Sequence, residues 1–491
     1  MDLKIRTSGA MDKRISLPPN ALLEIEEALN TPLFGGYAVG VTLNDMLTVA
    51  LYDAGRVWCW RRRMKDSLRY IYQRFHQPAF SSNDFSQYKD RILFTWLFDV
   101  PHLKALVLPI VENYGHDDYV VTSPFASIKT QVPDNSIVIL WDELPKVDMK
   151  AWRKEFDRCL LTWRHRLNQV LEKHSVPPYV TKFLLSRLQV QTQRLMAASQ
   201  FLDEIKPKVV VTEFDRNAHS SCLMLAARKR NIPTVTMVHG AALKSHPSYG
   251  AAPILADYVC CWGARHKNVF IELGVNPEQL VITGCQAVTR KLVVKQDIAR
   301  LKIGLPADKP VVLLATSPIK LEYRKKYTWV FCTAMSNLPE MSAIVRLHPA
   351  ENMAEYKDLI DEFPKVRFLP NNAMSKEESL AAADVVVSHE SGFGTDALLR
   401  GKLTVILDVL NIPMNIGKEM VELAGCPCVK ESGELESVIR QISVDVNFRN
   451  ELHAKAEQYV LQYCNSYGQG AVRNVCRLID HAIDHSERKP T

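Results

Sequence analysis

KPKVVVTEFDRNAHSSCLMLAARKRNIPTVTMVHG, residues 206–240, decides the fold. It reads as a β-branched apolar run, a polar loop, a helix and a second β-branched run that stops at His239-Gly240. A strand that is apolar throughout, instead of alternating, is covered on both faces, and strands separated by helices pair in parallel. Working outward, the same rhythm holds. Upstream lie ILFTWLF (92–98), a helix-like PHLKALVLPIVENYG (101–115), YVVTSP (119–124) and SIVILWDEL (136–144), then two long polar-apolar helices over 149–174 and 179–204. Downstream come ADYVCCWG (256–263), a short helix and QLVITG (279–284). The pattern predicts one doubly wound domain.

A basic connector, residues 288–310, precedes a second series. PVVLLATSP (310–318), SAIVRLHP (342–349), KVRFLP (365–370), DVVVSHESG (384–392) and LTVILDV (403–409) are five strand candidates, each followed by a polar loop or helix. The expected organisation is an N-terminal extension (1–90), a Rossmann-like domain (91–290), a second Rossmann-like domain (291–443) and two C-terminal helices (444–491) turned by CNSYGQG. Two such halves predict an α/β enzyme working across a cleft, because open α/β sheets bind ligands outside the carboxyl ends of their strands. In the extension, FGGYAVG (34–40) lacks the spacing of a phosphate loop and reads as a turn.

The 491 residues, 47% hydrophobic and 23% charged, suit two or three domains and exclude disorder over most of the length. No apolar run approaches the roughly 18 residues of a spanning helix, and the first residues have no apolar signal core, so a soluble, unsecreted chain is expected. The eleven cysteines occur singly or as Cys260-Cys261 and Cys426-x-Cys428, without metal-ligand spacing; reduced, buried thiols and a cytoplasmic location follow. Of the net charge of +7, residues 56–76 carry most: Arg56, Arg61, Arg62, Arg63, Lys65, Arg69 and Arg74 against Asp66. Trp60, Met64, Leu68, Ile71 and Phe75 form one apolar helical stripe among these cations, which fits either a packed helix or a peripheral contact with an anionic inner membrane face. One concentrated segment, instead of a broad basic face, argues against nucleic acid as the partner.

The strand ends supply the chemistry. His239 and Gly240 put an imidazole, a candidate general base, beside a residue that lets a ligand approach the backbone. His348, before Pro349, and Arg346 are candidate phosphate donors. Ser388, Glu390, Ser391 and Gly392 precede a helix whose open N-terminus suits an anion, Glu390 also being suited to a sugar or ribose hydroxyl. Thr316 and Ser317 could meet a diphosphate. Glu213 and Asp215 after one strand, and Asp142 and Glu143 after another, are acids that serve equally as bases or helix caps. No D-x-D triplet occurs, so no metal or other cofactor is expected.

The ordered set of His239-Gly240 with Lys244 close behind, ADYVCCWG, ELGV with VITG, RLHP and ADVVVSHESGFGTDALLRGKLTVI, over about residues 206–408, resembles glycosyltransferases of the GT-B fold. It looks most like the branch that builds bacterial capsule and teichoic-acid polymers. The resemblance implies that His239 is the catalytic base, that Lys244 belongs to the same site, and that His348 and Ser391 hold the donor's phosphates. It departs from the polyol-phosphate branch in the loop 388–392, and the sequence Glu390-Ser-Gly-Phe-Gly with Asp396 also resembles retaining sugar transferases and nucleotide-sugar 2-epimerases. Leu403 stands where a proline is common. The implied activity is transfer of a sugar from a nucleotide-sugar to a glycan or lipid-linked acceptor in surface polysaccharide assembly. A 2-epimerase, a polyol-phosphate transferase and a non-enzymatic scaffold for polymer export are the alternatives.

Overall fold

The structure, a computed structural model, describes residues 19–43, 84–96, 101–176, 179–238, 254–317, 319–349, 351–370, 372–389, 391–410 and 416–487. The chain divides into two compact units, one comprising residues 1–261, 267–281 and 472–491, the other residues 262–266 and 282–471. His239, Gly240, Lys244, Glu390 and the basic segment 56–76 lie outside the described residues.

The first unit holds β1 (Ile92–Thr95), β2 (Tyr119–Ser123), β3 (Val138–Leu140), β4 (Val209–Thr212), β5 (Thr234–Met237), β6 (Tyr258–Cys261) and β7 (Leu280–Ile282) in the order β3-β2-β1-β4-β5-β6-β7. β1 is flanked by β2 and β4 in parallel register, Ile92 standing opposite both Tyr119 and Val209. Alternation along each strand sends residues to two separate cores. Leu93, Val120 and Val210 pack with the helices Met149–Lys173 and Tyr179–Ile205, while Ile92, Phe94, Val121, Val209 and Val211 pack with Val472, Val475 and Ile479. The all-apolar strand reading is explained by these two covered faces. The helix Met149–Lys173 starts at Asp148, whose side chain accepts from the backbone N–H of Lys150 and Ala151, and buries Trp152, Phe156, Cys159, Trp163, Leu167 and Leu171 along one stripe.

The described part of the N-terminal extension belongs to this unit's core, through Ile25, Leu29, Phe34, Val39 and Leu43. The turn expected at FGGYAVG is a tight reversal in which Phe34 and Tyr37 exchange backbone hydrogen bonds. Gly35 and Gly36 carry it at φ +56 and +81, a left-handed pair that residues with a Cβ adopt only at a cost.

The second unit holds β8 (Val311–Ala315), β9 (Ser342–Arg346), β10 (Val366–Leu369), β11 (Val385–Ser388), β12 (Leu403–Leu407) and β13 (Cys428–Val429), ordered β10-β9-β8-β11-β12-β13. All five strand candidates form. β13 was not legible, because a two-residue strand has no periodicity. Val312 and Leu314 face the helices Leu321–Ser336 and Ser432–Val444; Val311, Leu313 and Ala315 face Lys376–Ala382 and Gly392–Leu399. The C-terminal region is helical, as expected, and its two helices pack on different units. Val446–Tyr463 adds Leu452 to the second unit's core, whereas residues 472–482 of Gly468–Glu487 close the first unit's sheet.

The ten described cysteines are free, nine of them buried and Cys428 exposed. Among the described residues no helix is long and apolar enough to cross a membrane.

Candidate functional site

In the second sheet β8 lies beside β11, so the chain reverses its direction of strand addition between them. Connections leave this switch point to opposite sides, opening a crevice at the carboxyl ends where doubly wound sheets bind ligands. β8 delivers Thr316 and Ser317 there, and β11 ends at Ser388, followed by His389. Ser391 caps the helix Gly392–Leu399, its Oγ accepting from the Phe393 N–H at 3.2 Å. A Cβ on Gly392 would meet nothing within 4 Å, so the first turn is open on that side; one on Gly394 would press on Met420 at 3.0 Å and on Ser388 Oγ at 3.2 Å. The Ser388 hydroxyl is buried and has no hydrogen-bond partner among the described residues.

Thr316 is pinned. Its N–H donates to the Arg346 carbonyl at 3.1 Å, its Oγ1 donates to Glu351 Oε2 at 2.8 Å and accepts from the His348 N–H at 2.9 Å. The same Glu351 oxygen accepts from the Tyr356 hydroxyl at 2.7 Å and lies 3.5 Å from Arg324 Nη1, which also pairs with Glu355 at 3.2 Å. The Glu351 side chain is 1% exposed. Thr316, expected to face a diphosphate, thus spends its hydroxyl on joining the ends of β8 and β9.

Ser317, Arg324, Tyr327 and His389 join Thr316 around a small recess of about 20 Å³, room for one water-sized group. Tyr327 Oη lies 3.2 Å from the His389 ring nitrogens, with the two ring centroids 4.5 Å apart. Burial pushes the Tyr327 phenol up, and the neighbouring Asp408 adds to it, so it stays protonated. His348, half-buried, is held below the usual imidazole value by burial, with Arg346 and Arg324 acting the same way against Glu351. It is neutral at pH 7. Arg346 donates from Nε to Ser379 Oγ at 3.1 Å and lies 5.1 Å from the Phe393 ring centroid. Burial lowers its pKa, but a guanidinium keeps its charge.

The first sheet reverses between β1 and β4. There Thr95, Thr212 and Ser220 form a closed hydroxyl triangle, with sides of 2.8, 2.9 and 2.8 Å. Asn217 Oδ1 accepts from the His219 and Ser220 N–H groups and so starts the helix Ser220–Arg228. Glu213, at the end of β4, is fully buried. Asp215 is 1% exposed, and its Oδ2 accepts from the Leu255 and Ala256 N–H groups at 2.6 and 3.1 Å, while burial raises its pKa. That acid ties the loop to residues 255–256. Glu143 bonds back to the Leu140 N–H at 2.7 Å, and Asp142 is exposed. Burial lowers the His219 pKa to about 3, Arg194 contributing, and its ring stands edge-on to Trp141 with centroids 4.9 Å apart.

The structure therefore gathers Thr316, Ser317, Arg346, His348, Ser388, Ser391 and Gly392 on the second unit, and Glu213 and Asp215 on the first. Arg324, Tyr327, Glu351 and His389 complete the second-unit group and were not expected. Arg324 and Glu351 sit in segments that read as helix, and only their neighbours in space, drawn from other elements, reveal them.

No family model and no curated protein matches the chain. Solved structures do. A UDP-N-acetylglucosamine 2-epimerase matches with a TM-score of 0.50 at 14% identity, over 82% of this chain and 98% of its own. The glycotransferase of kitacinnamycin matches with a TM-score of 0.50 at 13% identity, over 80% and 99%. The UDP-GlcNAc 2-epimerase of Neisseria meningitidis, bound to UDP-GlcNAc, has a TM-score of 0.47 at 14% identity, over 79% and 100%. The chain has the GT-B-type fold. In GT-B terms β1–β7 build the N-terminal Rossmann-like domain and β8–β13 the C-terminal one, with the helical C-terminal region added.

Proposed function

We propose that this protein is a glycosyltransferase that moves a sugar from a nucleotide-activated donor to a glycan or lipid-linked acceptor in bacterial surface polysaccharide assembly. The observation that carries the reading is the meeting, at the β8/β11 switch point, of hydroxyls, a neutral imidazole and two guanidiniums. Ser317 and the first turn after Ser391 supply neutral donors suited to phosphate oxygens, Arg324 lines the recess beside Ser317, and Arg346 and His348 stand at and just past the end of the neighbouring β9. In the proposed reaction the acceptor hydroxyl loses its proton to a base, His239 first and Glu213 or Asp215 second, as it attacks the sugar carbon. The departing nucleotide phosphate gains charge that the second-unit donors neutralise, with no cofactor required.

Thermal shift against UDP, GDP, CMP, CDP and dTDP, followed by their sugars, tests the donor step. A ligand at 100 times its Kd should stabilise the protein by about 2.7 kcal/mol, and no response to any of them would overturn the reading. A second reading rests on Ser391-Gly392 and on the fold shared with a UDP-N-acetylglucosamine 2-epimerase. Conversion of a UDP-sugar without any acceptor, followed by proton NMR, would favour it over transfer.

A further inference from the structure

The second unit has another cavity, of about 410 Å³, at the amino ends of the strands. Val311, Val385 and Leu403, the first residues of β8, β11 and β12, line it, with Met341, Ile439 and Ile442 extending the apolar wall. A strand of five residues spans about 16 Å, so this cavity is distinct from the crevice at the carboxyl ends of the same strands.

Its polar lining is unbalanced. Asp384 is already committed: its Oδ2 accepts from Arg300 and from the Val311 N–H at 2.7 Å, its Oδ1 from Gln296 at 2.9 Å. Lys402 donates to the Ala383 carbonyl at 2.7 Å, and Arg449 donates from Nη1 to the Ile442 and Ser443 carbonyls, each at 2.8 Å. Cations at helix carboxyl ends are stabilising in themselves, and those carbonyls account for one donor on Lys402 and two on Arg449. Lys402 has two further N–H groups and Arg449 three, and neither forms an ion pair among the described residues. Burial, with Arg300 acting the same way, holds the Lys402 ammonium below its usual range against the pull of Asp384. The volume falls within the roughly 300 to 1,000 Å³ of small-molecule sites, which pair an apolar wall with a few polar groups.

We propose that this cavity binds a small amphiphilic anion, a phosphate or carboxylate head held by Lys402 and Arg449 on an apolar body laid against Met341, Leu403 and Ile439. The inference is independent of the sugar-transfer reading.

Isothermal titration of the full chain with n-octyl phosphate and octanoate, below their micellar concentrations, and with 1-octanol as the neutral control, tests it. The expected result is one site per chain for at least one of the anions, no saturable binding of octanol, and no competition from UDP. Arg449→Gln and Lys402→Met should each weaken the anion at least tenfold. Because both side chains also hold carbonyls, Ser443→Trp serves as a second kind of variant: it fills the mouth from an exposed position and should abolish binding with both cations intact. Failure of both anions to bind, displacement by UDP, equal binding of octanol, or wild-type affinity in the folded variants would overturn the proposal.

Discussion

The Thr316 hydroxyl donates to the buried Glu351 carboxylate across 2.8 Å, joining the end of β8 to the loop that follows β9. One carboxylate oxygen thereby organises Thr316, Tyr356 and Arg324, and through Thr316 it fixes the backbone N–H of His348. The geometry of the proposed donor site thus depends on an acid that need not touch the donor.

Replacing Glu351 with Ala should strand the Thr316 and Tyr356 hydroxyls and leave Arg324 with Glu355 as its one carboxylate partner of the two. Hydrogen bonds to a charged group are each worth about 1.5–3 kcal/mol, and a broken buried pair costs about 3–5 kcal/mol. Urea unfolding should show a loss of about 3 kcal/mol, against about 1 kcal/mol for Thr316→Val. Equal stability of wild type and Glu351→Ala would remove Glu351 from the frame of the site.

The two histidines should separate in kinetics. His348→Ala should weaken nucleotide binding at least tenfold, whereas His239→Ala should lower turnover by about a hundredfold with nucleotide affinity intact. Normal rates and affinity in both variants would leave both histidines structural.

Acid should destabilise the protein through buried neutral imidazoles. His266 is 1% exposed, and burial, helped by Arg265, lowers its pKa to about 3. The unfolded chain takes up this proton near pH 6.5 and the folded chain does not, so stability present at pH 7 declines as pH falls from about 6.5 towards 3. One proton corresponds to a slope of about 1.4 kcal/mol per pH unit. Between pH 6 and 5, His266→Asn should show a slope shallower by about that amount; parallel curves would show that His266 protonates freely in the folded state.

Catalysis should survive EDTA, since the sequence offers no D-x-D triplet and His348, Arg346 and the turn after Ser391 can meet the leaving charge. A loss of more than tenfold that Mg²⁺ or Mn²⁺ restores would sink this expectation.

The basic stripe of residues 56–76 should hold the protein on anionic vesicles at low salt, each surface cation contributing about 1 kcal/mol. Changing Arg61, Arg62 and Arg63 to Glu should release it in a sedimentation assay. Equal partitioning would return the segment to a packing role.

The fold was legible because both faces of each sheet are covered, which makes strands such as Val209–Thr212 and Val385–Ser388 three consecutive valines closed by a hydroxyl residue and marks their ends sharply. Ends of strands are where the crevice forms, so Thr316, His348, Ser388 and Ser391 could be named. Glu351, Arg324 and Tyr327 could not, since their significance lies in contacts among residues 316, 324, 351 and 356, and between 327 and 389, that no local period encodes. The division of the C-terminal helices was hidden for the same reason: Leu452 and Val475 are both apolar helical positions, and only packing assigns them to different units.

Residues 472–482 supply one wall of the first unit's core, yet a ribosome makes them after the whole of the second unit. Domains usually fold as they emerge. Here the second domain can complete itself while the first, although synthesised earlier, still exposes the face carrying Phe94, Val121 and Val211. Completion of the first core thereby waits on the last-made helix, and a nascent chain halted before residue 472 would present that uncovered sheet to chaperones and to its own copies.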